Sequence, residues 1–234
     1  MIYYLSEVGM EKLIVIEGAC DGIGKTTQYN LLKEYLIKKY SIEVLSHHFP
    51  SYNTPQGKCV EMYLDGKFGD VKSLSPYFIN GLYAIDRAVT WHEEFKDVKD
   101  KIILLDRYTT SSLIYQSSVI KDENEKKAFI DYVIDFEYNK LGIGIPDDVI
   151  FLTAPYDLVS KMRKNRQDNA GIQNDIHEKD EELQKAFYQN ALMVANYLKW
   201  TKIDCAKNEH EMKSIEEIHQ EICNHIDKVL TKKR

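Results

Sequence analysis

Short runs of apolar residues alternate along the chain with longer segments in which apolar residues recur every three or four positions. The short runs are rich in Val, Ile and Leu, as in strands buried on both faces, and they predict strands at residues 13–17, 42–46, 101–106, 148–152 and 201–204. The longer segments have the spacing of amphipathic helices and predict helices at residues 25–40, 56–64, 76–95, 110–120, 123–141, 156–164, 181–198 and 214–230. Because strands separated by helices need crossover connections, we expect a parallel sheet of five strands with helices on both faces.

Three segments fall outside this alternation. Residues 1–9 lack the basic start and long apolar stretch of a secretory signal, so we interpret them as an N-terminal extension or frayed tail. Residues 47–55 form a loop that contains two prolines, and the polar, Asn-rich stretch at residues 165–179 is typical of a loop or mobile lid. We therefore expect a single domain over residues 10–234, with a lid at about residues 163–179.

The composition is that of a globular α/β protein and disfavours several other classes. Of the 234 residues, 44% are hydrophobic and 29% are charged. The sequence has no uncharged apolar run long enough to predict a membrane span. A net charge of −6 disfavours a general nucleic-acid-binding protein, because such proteins bind phosphates largely through basic patches. The four cysteines lie far apart and without metal-site spacing, which indicates free thiols in a reducing cytoplasm.

The segment between the first strand and the first helix carries the strongest chemical signal. It reads EGACDGIGKTT at residues 17–27, a glycine-rich loop whose backbone N–H groups can converge on phosphate oxygens at the positive end of a helix dipole. Lys25 is expected to reach the outer phosphates, and Thr26 to ligate Mg²⁺. The segment is a predicted Walker A loop, and the residues expected to bind the nucleotide are Gly18, Asp21, Gly22, Ile23, Gly24, Lys25, Thr26 and Thr27.

This loop departs from the Walker A pattern at one point. Five residues rather than four separate Gly18 from Gly24. Either Ala19 stands at the position of the first glycine, or the loop carries an extra residue before Asp21 and the turn after the first strand bulges. The guanine-reading Asn-Lys-x-Asp pattern and a DxxG switch are absent from the sequence, which disfavours a GTPase.

Together with the Asp-Arg-Tyr at residues 106–108, the loop resembles the pattern of the thymidylate kinase family, whose members phosphorylate dTMP to dTDP with ATP. The His-Phe-Pro-Ser at residues 48–51 and the Pro-Asp that precedes the fourth strand match the same pattern in order. The resemblance extends from about residue 10 to the C-terminal helix. It implies a P-loop NTPase fold with three α/β/α layers, ATP and Mg²⁺ as cofactors, dTMP as acceptor, a role in dTTP biosynthesis and a homodimer.

The resemblance also implies roles for three charged residues. Asp21 is expected to accept a hydrogen bond from the 3′-hydroxyl of the acceptor. Asp106 is expected to position Mg²⁺ or its waters and Arg107 to clamp the phosphate under attack, at the strand edge where open α/β sheets bind ligands. Structural roles remain the alternatives: a turn or helix cap for Asp21, and a salt bridge for Arg107.

A second group of residues is expected to form the pocket for the base. By resemblance Tyr83 stacks on the thymine, and Arg87, one helical turn later, donates to a base carbonyl. The alternative for Tyr83 is an ordinary core aromatic. Phe49 is expected to form a wall of this pocket. Where much of the family has an arginine this chain has Tyr52, so Arg107 or an unidentified lysine is expected to bind the acceptor phosphate.

The helix that follows residue 108 matches the family segment that lines the acceptor nucleoside. The residues concerned are Ser111, Ser112, Tyr115 and Gln116. Ser112 and Gln116 are four residues apart, so they share one helical face and could both reach the base edge. Helix capping is the alternative role for Ser111.

The lid is expected to supply the remaining positive charge. Some family members carry an arginine directly after the loop aspartate, whereas this chain has Gly22 there. By resemblance, Arg163 and Arg166 are therefore candidates to neutralise the transferring phosphoryl group or to pack on adenine. Two alternatives stay open for the whole chain: another nucleoside-monophosphate or deoxynucleoside kinase, and a non-catalytic ATP-binding regulatory module.

Overall fold

The computed structural model describes residues 11–70, 73–170 and 181–231, the side chains of residues 164–170 excepted. Its central sheet has five parallel strands in the order β2-β3-β1-β4-β5. These strands are β1 (Lys12–Gly18), β2 (Val44–His48), β3 (Ile102–Asp106), β4 (Asp148–Thr153) and β5 (Thr201–Asp204). A short antiparallel hairpin follows β5 and consists of β6 (Ala206–Asn208) and β7 (Glu211–Met212).

Helices connect the strands and cover the sheet. They are α1 (Lys25–Tyr40), α2 (Lys58–Leu64), α3 (Pro76–Thr90), α4 (Thr109–Ser118), α5 (Glu123–Ile134), α6 (Tyr156–Ala170), α7 (Glu181–Tyr197) and α8 (Ile215–Thr231). Both α3 and α5 end in a π-helical turn, at Trp91–Phe95 and Asp135–Lys140 respectively. In the described ranges, none of these helices combines the length and the apolar character that crossing a bilayer requires.

Alternate residues of the central strands point to opposite faces of the sheet, and both faces are buried. On β1, Ile14 and Ile16 pack with residues of α1 and α8, whereas Leu13 and Val15 pack with Trp91 at the end of α3. Phe151 of β4 lies in a third cluster with residues of α4, α5 and α7. The predicted three-layer α/β/α fold is therefore confirmed.

Several element boundaries differ from the prediction. β2 begins two residues later and includes His47 and His48, which pair with Leu105 and Asp106 of β3. The β6–β7 hairpin was not predicted, because its strands are too short to show a pattern.

The predicted lid begins inside a helix. α6 continues to Ala170, so residues 165–170 are helical rather than part of a loop. The rest of the predicted lid, residues 171–179, and the predicted extension, residues 1–9, lie outside the described residues.

Candidate active site

The C-terminal edge of the sheet opens into a cavity of about 880 Å³. Most of the predicted site residues line it, namely Asp21, Gly22, Gly24, Lys25, Thr26, Thr27, Phe49, Tyr83, Arg87, Arg107, Ser111, Ser112, Tyr115 and Gln116. Of the predicted site residues with a described side chain, Gly18, Ile23, Asp106 and Arg163 are not among those lining it. The fold thus brings residues from five separate segments, as far apart as residues 21 and 116, around one space.

The glycine-rich loop places two of its glycines in backbone conformations that other residues rarely adopt. Gly22 and Gly24 have φ of 87° and 97°, in the left-handed region that L side chains rarely adopt. Gly24 is also the N-cap of α1, and it has no side chain with which to cap the helix. The first turn of α1 therefore has no side-chain cap from Gly24, and its residues Lys25, Thr26 and Thr27 line the cavity.

Regular strand pairing continues past the end of β1 as far as Ala19. β1 keeps a regular register with β4 as far as the pair Gly18 and Leu152, and the Ala19 N–H continues it by donating to the Leu152 carbonyl at 2.9 Å. This regular pairing argues against a bulge at the end of β1 and fits the alternative in which Ala19 takes the position of the first Walker A glycine. Ile23 is 3% exposed, and a Cβ on Gly18 would lie 2.9 Å from its Cγ2, so these two residues contribute packing beneath the loop.

Asp106, at the end of β3, contacts basic side chains from two different segments. Its Oδ1 lies 3.0 Å from Lys25 Nζ, and its Oδ2 lies 2.9 Å from His48 Nδ1. Burial acts to raise the pKa of Asp106, but the hydrogen bond with His48 and the charge of Lys25 outweigh it and lower the pKa to about 2. Asp106 is therefore an ionised carboxylate beside the loop. His48 was not predicted as a site residue, because only the geometry of β2 against β3 brings it to Asp106.

Arg107 and Asp21, which the resemblance gave separate roles, contact each other. Arg107 Nη2 donates to Asp21 Oδ1 at 2.6 Å, and Arg107 Nη1 donates to the Tyr115 hydroxyl at 3.0 Å. Burial acts to raise the pKa of Asp21, but the charges of Arg107 and then Lys25 hold that pKa below its usual value. The pair places a guanidinium and a carboxylate on the cavity wall between the loop and α4.

Glu17, the last residue but one of β1, is a fully buried carboxylate. It accepts hydrogen bonds from the hydroxyls of Thr110, at 3.0 Å, and Ser111, at 2.5 Å. The Ser111 hydroxyl, predicted to face the acceptor, is thus directed at Glu17. These bonds tie the start of α4 to the strand that carries the phosphate-binding loop.

Arg87 lines the cavity but is only 1% exposed, because an unpredicted partner holds it from behind. Glu137 accepts from Arg87 Nε at 2.6 Å and from Nη2 at 2.7 Å, and Ser112 Oγ accepts from Nη2 at 2.8 Å. Burial favours the neutral guanidine, but the charge of Glu137 dominates and raises the pKa of Arg87. No sequence signal identifies Glu137, since it lies 50 residues away in a π-helical turn.

The two predicted aromatic residues form part of the same wall. Tyr83 lines the cavity, and its ring contacts that of Tyr63 in an edge-on arrangement with centroids 6.2 Å apart. Burial raises the pKa of Tyr83 above its usual value, so its hydroxyl stays protonated. Phe49 is 2% exposed and packs against the rings of His47 and Tyr108, so it lines the cavity while its ring is part of the core.

Of the two predicted lid arginines, the structure describes the side chain of one. Arg163 lies beside the glycine-rich loop. A Cβ atom added to Gly22 would be 3.5 Å from the Cβ atom of Arg163. Its Nη1 donates to Gln184 Oε1 at 2.9 Å, which links α6 to α7. Arg166 belongs to α6, and its side chain lies outside the described part of the structure.

Comparison with known proteins identifies what this chain is similar to. The family model for thymidylate kinase matches residues 16–222. The chain is 33% identical over 205 residues to probable thymidylate kinase 1 of Saccharolobus solfataricus, covering 87% of this chain and 93% of that protein. It is 32% identical over 228 residues to a probable thymidylate kinase of Methanococcus aeolicus, covering 96% of this chain and 98% of that protein.

Two solved structures share the fold. Thymidylate kinase from Candida albicans superimposes with a TM-score of 0.71 at 23% identity, over 95% of this chain and 93% of that one. Thymidylate kinase from Ehrlichia chaffeensis gives a TM-score of 0.63 at 20% identity, over 92% and 98%.

Proposed function

Since this chain belongs to the thymidylate kinase family and phosphorylates dTMP, we propose that ATP is the donor, that Mg²⁺ assists, and that the cavity at the sheet edge carries out the transfer. The observation that carries this proposal is the placement of two cations. Lys25 projects from the phosphate-binding loop and Arg107 from the end of β3, and both line one cavity. A donor phosphate bound at the loop and an acceptor phosphate bound at Arg107 would therefore lie next to each other between these two cations, as in-line transfer requires.

The donor side fits a triphosphate. The N–H groups at the start of α1 and the Lys25 ammonium are the positive groups of this edge, and Gly24 leaves the helix end open to an anion. The Lys25 ammonium lies 3.0 Å from Asp106 Oδ1, and the outer phosphates of a bound nucleotide would give it a second anionic partner. Arg163, next to Gly22, is placed to approach the same phosphates, and Arg166 remains a second candidate.

Thr26 and Asp106 are the residues that would hold Mg²⁺. The Thr26 hydroxyl is on an exposed residue at the cavity surface, and Asp106 is ionised, as a hard cation requires. The described part of the chain offers no cluster of three or more acidic, His or Cys residues for a metal. This sparse donor set fits Mg²⁺, which keeps several waters and binds through one or two protein groups plus substrate phosphates. When bound, Mg²⁺ supplies charge neutralisation of the donor phosphates.

The acceptor side depends mainly on Arg107. Among the described residues that line the cavity, the Lys and Arg side chains are Lys25, Arg87 and Arg107. Both arginines pair with a carboxylate, but the Arg87 side chain is 2% exposed and that of Arg107 is 20% exposed, so we assign the acceptor phosphate to Arg107 where Tyr52 replaces an arginine. The acceptor phosphate is already ionised at neutral pH, so the reaction needs positioning and charge neutralisation rather than a strong general base.

A homodimer is part of the proposal. Phe78, Ile85 and Val89 lie on α3 at spacings of seven and four residues, hence on one helical face, and they are 44%, 50% and 36% exposed. A row of large exposed apolar residues is typical of a protein interface. We also place the protein in the cytoplasm, since its four cysteines are all free thiols.

A panel of acceptors tests the proposed function. The protein is incubated with ATP, Mg²⁺ and, in turn, dTMP, dUMP, UMP, CMP, AMP and thymidine, and ADP release and products are followed by ³¹P NMR. We expect dTDP to form fastest and chelation of Mg²⁺ to stop the reaction. Preference for thymidine would indicate a nucleoside kinase, and ATP binding without acceptor-dependent ADP release would indicate a regulatory module.

A further inference from the structure

Glu137 is a fully buried carboxylate that binds Arg87, the arginine expected to face the acceptor base. It lies in the π-helical turn Asp135–Lys140 that follows α5, and its side chain is 0% exposed. Its two oxygens accept from two different nitrogens of Arg87, Oε2 from Nε at 2.6 Å and Oε1 from Nη2 at 2.7 Å. This bidentate geometry orients a planar guanidinium as well as neutralising it.

The carboxylate of Glu137 is itself held in place. The Thr109 hydroxyl donates to Oε2 at 2.8 Å, and Thr109 is fully buried at the start of α4. Oε2 therefore accepts from both Arg87 and Thr109. Three elements, α3, α4 and the π-helical turn, meet in one hydrogen-bond network behind the cavity wall.

The N–H groups of Arg87 can be counted one by one. A guanidinium has five, all donors. Glu137 accepts two of them, Ser112 Oγ accepts a third at 2.8 Å, and the Tyr108 carbonyl receives one from Nη1 at a long 3.4 Å. One N–H of Nη1 has no acceptor among the residues that the structure describes, and Arg87 lines the cavity. Because the group is planar, fixing Nε and Nη2 also fixes the direction of this last donor.

We propose that Glu137 is a positioning residue that sets the base selectivity of the enzyme by locking Arg87 as a hydrogen-bond donor toward the acceptor base. This inference rests on the proposed function, in which Arg87 faces the base. A locked donor favours a base with a carbonyl oxygen at that point, as in thymine or uracil. A cytosine would present an amino group there, and two donors facing each other in a buried site leave both without a partner.

The Glu137→Gln variant tests the proposal with little change in side-chain volume. Its amide nitrogen must face a donor of Arg87 or Thr109, so the guanidinium loses its fixed orientation. We expect the KM for dTMP to rise about tenfold and the ratio of kcat/KM for dTMP over dCMP to fall about tenfold, while the KM for ATP stays within about twofold. A residue that only stabilises the fold would change Tm but leave this ratio unaltered.

Thr109→Val provides a milder second variant, in case Glu137→Gln does not fold. It removes one hydrogen bond to Glu137 and keeps the size of the side chain, and the dTMP over dCMP ratio should fall about threefold. Ser117→Ala is the matched control, because it removes a buried hydroxyl of the same helix that bonds to Leu113 and Asn190 instead. The control should keep the wild-type ratio.

The outcomes separate this inference from the proposed function. If the wild-type protein does not phosphorylate dTMP, the proposed function fails. If the wild type is active, the dTMP over dCMP ratio of Glu137→Gln is compared with that of Ser117→Ala. Where Glu137→Gln does not fold, Thr109→Val takes its place. Equal ratios would leave the proposed function standing and refute the role of Glu137.

Discussion

Charged residues in and beside the cavity contact partners from distant parts of the chain. Asp106 joins Lys25 and His48, and Arg107 joins Asp21. Against the opposing effect of burial, the hydrogen bond with His48 and the charge of Lys25 lower the pKa of Asp106, and the charge of Arg107 lowers the pKa of Asp21. A substitution of one member therefore changes the orientation of the other as well as its own contact.

Asp106 should make the stability of the protein depend on acidic pH. Its pKa is about 2 in the folded protein against 3.8 ordinarily, so the folded state favours the ionised form. The resulting stabilisation is fully present above pH 3.8 and is lost as the pH falls through 2; a shift of this size corresponds to roughly 2 kcal/mol. We predict that Asp106→Asn lowers the free energy of unfolding by this amount at pH 6, and that the difference shrinks between pH 4 and pH 2.

Urea unfolding of both proteins over that pH range measures this difference. Asp131→Asn, on an exposed residue of α5, is the control substitution. A difference between wild type and Asp106→Asn that stays constant down to pH 2 would show that Asp106 gains nothing from Lys25 and His48.

At the scale of elements, hydrophobic periodicity predicted the order and type of the strands and helices because each buries a continuous apolar face. The prediction is weakest where polar residues continue an element past its apolar pattern. β2 ends in His47 and His48, whose strand geometry comes from pairing with β3, and α6 continues through polar residues as far as Ala170. Such extensions depend on neighbours that a local pattern does not contain.

The same reasoning explains which parts of the candidate site could be predicted. The glycine-rich loop is local in sequence, so its residues could be predicted directly as candidates for phosphate binding. Glu137 reaches Arg87 across 50 residues, and His48 reaches Asp106 across 58. Contacts of this kind arise only when helices and strands pack, so a single sequence without homologues carries no local signal for them.

The N-terminus of α5 offers a prediction at this scale. Asp122 is its N-cap, and the side-chain oxygen accepts from the N–H groups of Asn124 and Glu125, both at 2.9 Å. Asp122→Ala removes both bonds and should lower the free energy of unfolding by about 1 kcal/mol. Asp131→Ala, in the same helix and exposed, should have little effect. Thermal unfolding compares the two, and equal losses of stability would argue against the cap.

At the scale of the whole molecule, the net charge of −6 describes the surface rather than the cavity. The sheet order β2-β3-β1-β4-β5 brings the ends of β1 and β3 side by side, and with them the phosphate-binding loop and Arg107. Lys25 and Arg107 thus meet at one edge of an acidic protein. Under the proposed function, two anionic nucleotides would bind there because local geometry, rather than total charge, supplies the cations.

The proposed homodimer gives a prediction for the molecule in solution. Ile85→Glu places a charge on the exposed apolar face of α3 and should convert a dimer into a monomer, since burying an unpaired carboxylate is costly. Ile145→Glu is the matched control, because Ile145 is 65% exposed but lies outside α3. Light scattering after size exclusion measures both masses. A wild-type protein that is monomeric, or an Ile85→Glu protein that stays dimeric, would contradict this interface.

The turnover of the Lys25→Ala variant with ATP, Mg²⁺ and dTMP tests the central claim most directly. Lys25 lines the cavity and is expected to neutralise the transferring phosphoryl group, so we predict a loss of kcat of roughly 10³-fold with the fold retained by circular dichroism. Lys33→Ala, on the same helix but bonded to Ser46, should keep wild-type turnover. A folded Lys25→Ala protein that converts dTMP to dTDP at a rate near that of the wild type would contradict the claim that this loop and this cavity carry out the transfer.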